Sequence, residues 1–281
     1  MKLSRLILAA AMLAGAAACA SPPVAGPPSV SYDPADLVLQ VRTARGFVRV
    51  EASVTEVPEV SIYGDGRVVV TGPIPEIYPG PALPNLQVRH ISAANVRDLT
   101  RRALEAGVGN GQDMGMPNVA DAPTTYITVR TTAGLATTGV PALGIGSDDD
   151  LTAAQRSARK RMQDLVVALG DLPKTLGRGG VDEPATYEPA RIAAVAREWT
   201  PVADGLPSDP PPIDWPGPAP LPGDVVANRP GVNCLTTDAG PVLAAAKGAN
   251  ARTPWVAGGA RWSVQFRPLL PHESSCADLA H

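Results

Sequence analysis

Aromatic side chains are scarce, with Phe, Trp and Tyr together making 4% of the chain. Its core must then rest on Val, Leu, Ile and Ala. Hydrophobic residues at 44% against 18% charged still predict that most of the chain folds. Dense basic stretches interleaved with aromatics are missing, and the formal net charge is -3, so no nucleic-acid partner is expected. Histidine occurs three times, as His90, His272 and His281, with no pair at metal-ligand spacing. No Gly-x-Ser-x-Gly elbow and no cofactor fingerprint is present. Accordingly no catalytic, cofactor-binding or metal set is assigned from the sequence. The apolar, uncharged run 6–18 is shorter than the ~20 residues a membrane-spanning helix needs.

That run carries the strongest signal. Lys2 and Arg5 precede it, and Ala16-Ala17-Ala18-Cys19 ends it. A positive start, a short apolar stretch and small residues at the cut make a secretory signal over 1–18. The end resembles the lipobox of bacterial lipoproteins. Ala16 stands where that family usually has Leu. The resemblance implies cleavage before Cys19 and a diacylglycerol on its sulfur, hence a membrane anchor on the extracytoplasmic face. Two or more acyl chains hold a protein on a membrane stably. Removing 18 residues from 281 would leave 263, enough for one large or two small domains. With Cys19 lipidated, Cys234 and Cys276 remain. In an exported protein they are most simply one disulfide, closing the C-terminal part; the alternative is two buried thiols.

Proline (31) and glycine (27) are abundant and mark long irregular connections. Residues 19–31 read as a Pro-rich tether. An α+β domain is expected over 32–175, with antiparallel strands and helices packed on one face. Strands are expected at 37–41 and 47–54, the second because it alternates apolar and polar residues. Two β-prone runs, 60–63 and 67–70, flank Gly64-Asp65-Gly66 and predict a hairpin, with Asp65 as a turn residue. A short strand is expected at 86–89. Ser92 caps a helix that Gly107 closes, with Ile91 and Val96 placed as a hydrophobic staple. Strands follow at 124–132 and 137–143. Thr152 and Gln155 then predict a capping box for a second amphipathic helix.

Beyond it, 176–223 reads as a Pro/Gly-rich linker or a surface strap, with a short helix over 191–199. The last part, 224–281, holds an expected strand at 232–236, a helix over 238–247 and a strand at 262–266. Tyr63-Gly64-Asp65-Gly66-Arg67, Asp121-Ala122-Pro123-Thr124-Thr125 and Arg267-Pro268-Leu269-Leu270-Pro271 resemble a family of uncharacterised secreted lipoproteins of actinobacteria. The resemblance spans most of the mature chain and implies a layout, not a reaction.

Three features of the sequence admit a sharper reading beside a plain one. Ser157 and Lys160 match the Ser-x-x-Lys spacing of penicillin-recognising enzymes but lack the companion motifs, so a solvated helix face is expected. Asp148, Asp149 and Asp150 lack the alternating oxygens and closing Glu of a calcium loop, and favour the helix start instead. Trp199, Trp215, Trp255 and Trp262 either form a binding surface or supply a local core. The leading expectation is a non-catalytic envelope module binding a protein or wall component. The runner-up is an envelope hydrolase whose site is assembled from distant residues.

Overall fold

The computed structural model describes residues 32–46, 49–201, 205, 209–227 and 229–279. The signal, the tether, Cys19 and His281 lie outside the described residues. The chain is α+β, built on two antiparallel sheets. Among the described residues, no helix is long and apolar enough to cross a membrane.

The first sheet begins with β1 (Leu37–Ala44). A short helix, α1 (Val50–Thr55), follows, where alternation predicted a strand. The reason is topological. β1 is already paired on both sides, so a strand directly after it has no place beside it. Instead Val54 is buried among residues of the second sheet. The hairpin β2 (Val60–Tyr63) and β3 (Arg67–Thr71) forms as its turn residues dictate. Gly66 sits at φ 88°, and a Cβ there would lie 2.2 Å from the Ile91 carbonyl oxygen. Asp65 accepts from the Arg67 backbone N–H and side chain, which makes it turn chemistry. Then come β4 (Leu86–His90), α2 (Ala93–Ala106), β5 (Thr124–Thr131), β6 (Gly134–Pro141), α3 (Ala153–Gly170) and α4 (Leu172–Leu176). Ser92 caps α2, Gly107 ends it in the left-handed region, and Thr152 with Gln155 forms the capping box of α3. With β7 (Ala185–Thr186), the sheet order is β6-β5-β1-β2-β3-β4-β7.

One face of this sheet packs on α2 and α3. Leu39, Val41, Ile62, Ile127 and Val129 meet Val96, Leu99, Met162 and Leu169. The opposite face buries Leu37, Tyr63, Val69 and Leu86 against Leu270 near the C-terminus.

The second sheet is centred on β8 (Arg191–Glu198), where the alanines of Ile192-Ala193-Ala194-Val195-Ala196 predicted a helix. All five residues are buried. Ile192, Ala194 and Ala196 enter one core, while Ala193 and Val195 enter another. A strand buried on both faces shows no period-two alternation, and its small residues let both layers approach. The sheet adds β9 (Ile213–Asp214), β10 (Asp224–Val225), β11 (Asn233–Asp238), β12 (Pro254–Ala257) and β13 (Ala260–Pro268), in the order β10-β11-β8-β13-β12-β9. Among the described residues, only the pairing of β9 with β12 is parallel. Helix α5 (Ala239–Ala246) covers one face and α1 the other. Trp255 is fully buried there, edge-on to Trp215 and Phe266. Trp215 also donates its indole N–H to the Ala219 carbonyl, so the proline-rich stretch around it lies on this sheet. The Cys234–Cys276 disulfide joins β11 to the C-terminal turn.

Candidate functional site

Beyond the register shift between Leu37 and Leu39, the even positions of β1 point away from α2 and α3. Gln40, Arg42 and Ala44 therefore line the opposite face, with Arg45 just beyond. Together with Ser53, Val54, Glu56 and Pro58 of the α1 region, Arg229, and Arg267, Glu273 and Leu279 from the C-terminal part, they enclose a cleft of about 170 Å³. Four arginines and two glutamates stand among its lining residues.

Each wall has a physical reason to be where it is. Arg42 and Tyr126 are directly opposite in the β1–β5 register. That pairing lays the Arg42 guanidinium over the Tyr126 ring, 4.8 Å from its centre. Arg267 is 2% exposed. It donates Nε to the Glu56 carbonyl at 3.1 Å, Nη1 to the Pro268 carbonyl and Nη2 to Glu273 Oε1 at 2.8 Å. Glu273 Oε2 in turn accepts from the Leu270 backbone N–H at 2.7 Å. The buried pair thus fixes the cleft floor and the C-terminal turn together. Glu56 faces Arg45 and Arg42, yet its carboxyl lies above the usual carboxylate range, because burial outweighs both positive charges.

Behind this floor, the Tyr63 hydroxyl and His272 Nδ1 share a hydrogen bond of 2.9 Å. Burial first, then the negative charge of Glu273, pushes the Tyr63 phenol far above its ordinary value. The phenol therefore stays protonated at neutral pH. Tyr187, pushed up to about 12 mainly by burial, donates to the Leu269 carbonyl. The stretches beginning at Tyr63 and at Arg267 meet here. The stretch beginning at Asp121 opens β5, where Thr124 pairs with Ala44 of the cleft wall.

Comparison with protein-family models, curated proteins and solved structures finds no match to this chain.

The remaining candidate residues lie apart from the cleft. Ser157 is exposed and accepts from Arg161, while Lys160 pairs with Asp164, so this face of α3 is solvated. Asp148 accepts from Arg159, a buried side chain that also donates to the Pro141 and Ala142 carbonyls. The aspartate run therefore anchors the start of α3. His90 is exposed at the end of β4. Trp255 and Trp215 form core, Trp262 is half-buried against the same cluster, and Trp199 lies under the Arg261 guanidinium. An apolar surface does exist elsewhere. Ile74, Ile77 and Tyr78 are exposed on the proline-rich loop between β3 and β4. They adjoin a groove of about 390 Å³ lined by Ile74, Pro81, Leu83, Val264 and Phe266.

The cleft was hidden in the sequence because its arginines lie far apart, at 42, 45, 229 and 267. One signal for it was present: Gln40 and Arg42 break the apolar run of β1 at alternate positions, which marks its second face as polar and partly enclosed.

Proposed function

We propose that this chain is an exported lipoprotein, anchored through Cys19 outside the cytoplasmic membrane, that binds a component of the cell envelope in the arginine-lined cleft. The single observation that carries this reading is the convergence of Arg42, Arg45, Arg229 and Arg267 in one partly enclosed cleft of a chain whose net charge is negative. A local field opposite in sign to the whole molecule concentrates an oppositely charged ligand. The lipobox-like start supports the location, and the Pro-rich 19–31 stretch supports display of the domain away from the lipid surface. The partner class is an envelope protein or a wall component.

The test is retention of the full chain, in detergent, by immobilised envelope fractions. Wild type is retained by one fraction, and Arg45→Gln loses that retention. Equal retention of both proteins contradicts the cleft as the binding surface.

A further inference from the structure

We infer that this chain pairs with a second copy of itself along β6, in antiparallel register about a twofold axis at Thr137. The inference is independent of the cleft. The sheet edges, the hydrogen-bond pattern of β6 and its side chains lead to it.

Among the described residues, one sheet ends in β6 and β7 and the other in β10 and β9. β7, β9 and β10 are each 2 residues long. Very short edge strands are one way in which proteins keep their sheets from pairing with one another. β6 is 8 residues long, carries no charged residue, and has its only proline at its last position, Pro141. It pairs with β5 over its whole length without a register shift, so no bulge turns it away. The protection given to the other edges is therefore missing at β6.

The groups that β6 presents follow from the ladder. The Ala142 backbone N–H donates to the Pro123 carbonyl at 2.8 Å. Alternate residues of an antiparallel strand turn their N–H and C=O to opposite sides. Ala136, Thr138 and Val140 thus face β5, while Leu135, Thr137 and Gly139 turn theirs outward. The outward carbonyl of Pro141 accepts from Arg159 Nη1 at 2.8 Å, which ends the open stretch there. The open residues are symmetric about Thr137. With Thr137 of each copy opposite that of the other, Leu135 stands opposite Gly139 on both sides of the axis. Every outward N–H of these residues then meets an outward carbonyl.

The side chains fit the same register. Leu135 is 50% exposed, and Gly139 places no side chain opposite it. A Cβ at Gly139 would lie 3.0 Å from the Tyr126 ring, so the leucine of one copy meets that ring in the other. The chain as a whole is negative, yet no like charges stand opposite each other along this edge.

Sedimentation equilibrium of the full chain in density-matched detergent tests this. Wild type should sediment as a dimer. Leu135→Lys, which puts a charge on the edge, should raise the dissociation constant about tenfold or more. Its circular dichroism should match wild type, because Leu135 is half exposed. Thr137→Cys, on the axis, should form a disulfide-linked dimer under mild oxidation. Wild type and Arg101→Cys, on the solvated face of α2, should not. A monomeric wild type overturns the inference, whether the edge stays open or takes an extended segment of another protein. A dimer that Leu135→Lys leaves unchanged, or one that Thr137→Cys does not cross-link, overturns it as well.

Discussion

Single side chains decide how the C-terminal part is fixed. The Arg267–Glu273 pair is buried, with the two side chains 2% and 3% exposed. A buried ion pair adds little over an apolar pair, but removing one partner strands the other charge. Glu273→Ala should therefore lower unfolding free energy by about 3–5 kcal/mol in denaturant titration. A loss under 1 kcal/mol would show that Arg267 finds another partner. Asp278 works on the same segment from outside. It accepts from the Ser274 backbone N–H and hydroxyl and from the Ser275 backbone N–H. These bonds, the Ser274 backbone one first, hold its carboxyl below the usual range. A depressed folded pKa adds stability above the unfolded value, about 3.9, and loses it as pH falls through the folded value. Asp278→Asn should thus lower the melting temperature at pH 7, and the gap to wild type should close as pH drops below about 4. A gap that is constant with pH would contradict the carboxylate's role. None of this was legible beforehand. No motif in the sequence singles out Glu273 or Asp278, and only the folded neighbours give them their partners.

At the level of elements, legibility followed local chemistry. The hairpin around Gly64-Asp65-Gly66 and the caps at Ser92 and Thr152 are set by residues within a few positions, and they formed as expected. The two misread segments, α1 and β8, were decided by partners far along the chain. α1 had the alternation of a strand but no place beside β1, which pairs with β2 and β5. β8 had the alanine content of a helix, but both its edges pair, with β11 and β13, and both its faces are covered. Propensity loses to tertiary pairing in such cases. The disulfide was legible from the cysteine count together with the expectation of export. It closes a span of 42 residues between β11 and the C-terminal turn. Cross-linking a loop of this order contributes about 2–4 kcal/mol, chiefly by restricting the unfolded chain. Cys234→Ser/Cys276→Ser should melt at a lower temperature than wild type. Reductant should bring wild type down to the variant and leave the variant unmoved. Equal melting of all samples without reductant would show that the bridge does not stabilise the fold.

The whole molecule joins two sheets through the segment that also floors the cleft. A strand that pairs on both edges, β1, supplies the arginine wall, and the disulfide-tied C-terminus supplies the base. The arrangement makes the cleft a property of the complete fold, which is why no local motif announced it. The anchor is a separate proposition with its own check. Metabolic labelling with a fatty-acid analogue should mark the wild-type chain and leave Cys19→Ala unmarked; equal labelling would end the lipoprotein reading. The central claim, that the tethered module captures an envelope component in the arginine cleft, is tested most directly by cross-linking in living cells followed by mass spectrometry. The account predicts one dominant captured component from wild type and its loss from Arg42→Gln/Arg45→Gln at equal protein level. The same component captured equally by both proteins would contradict it.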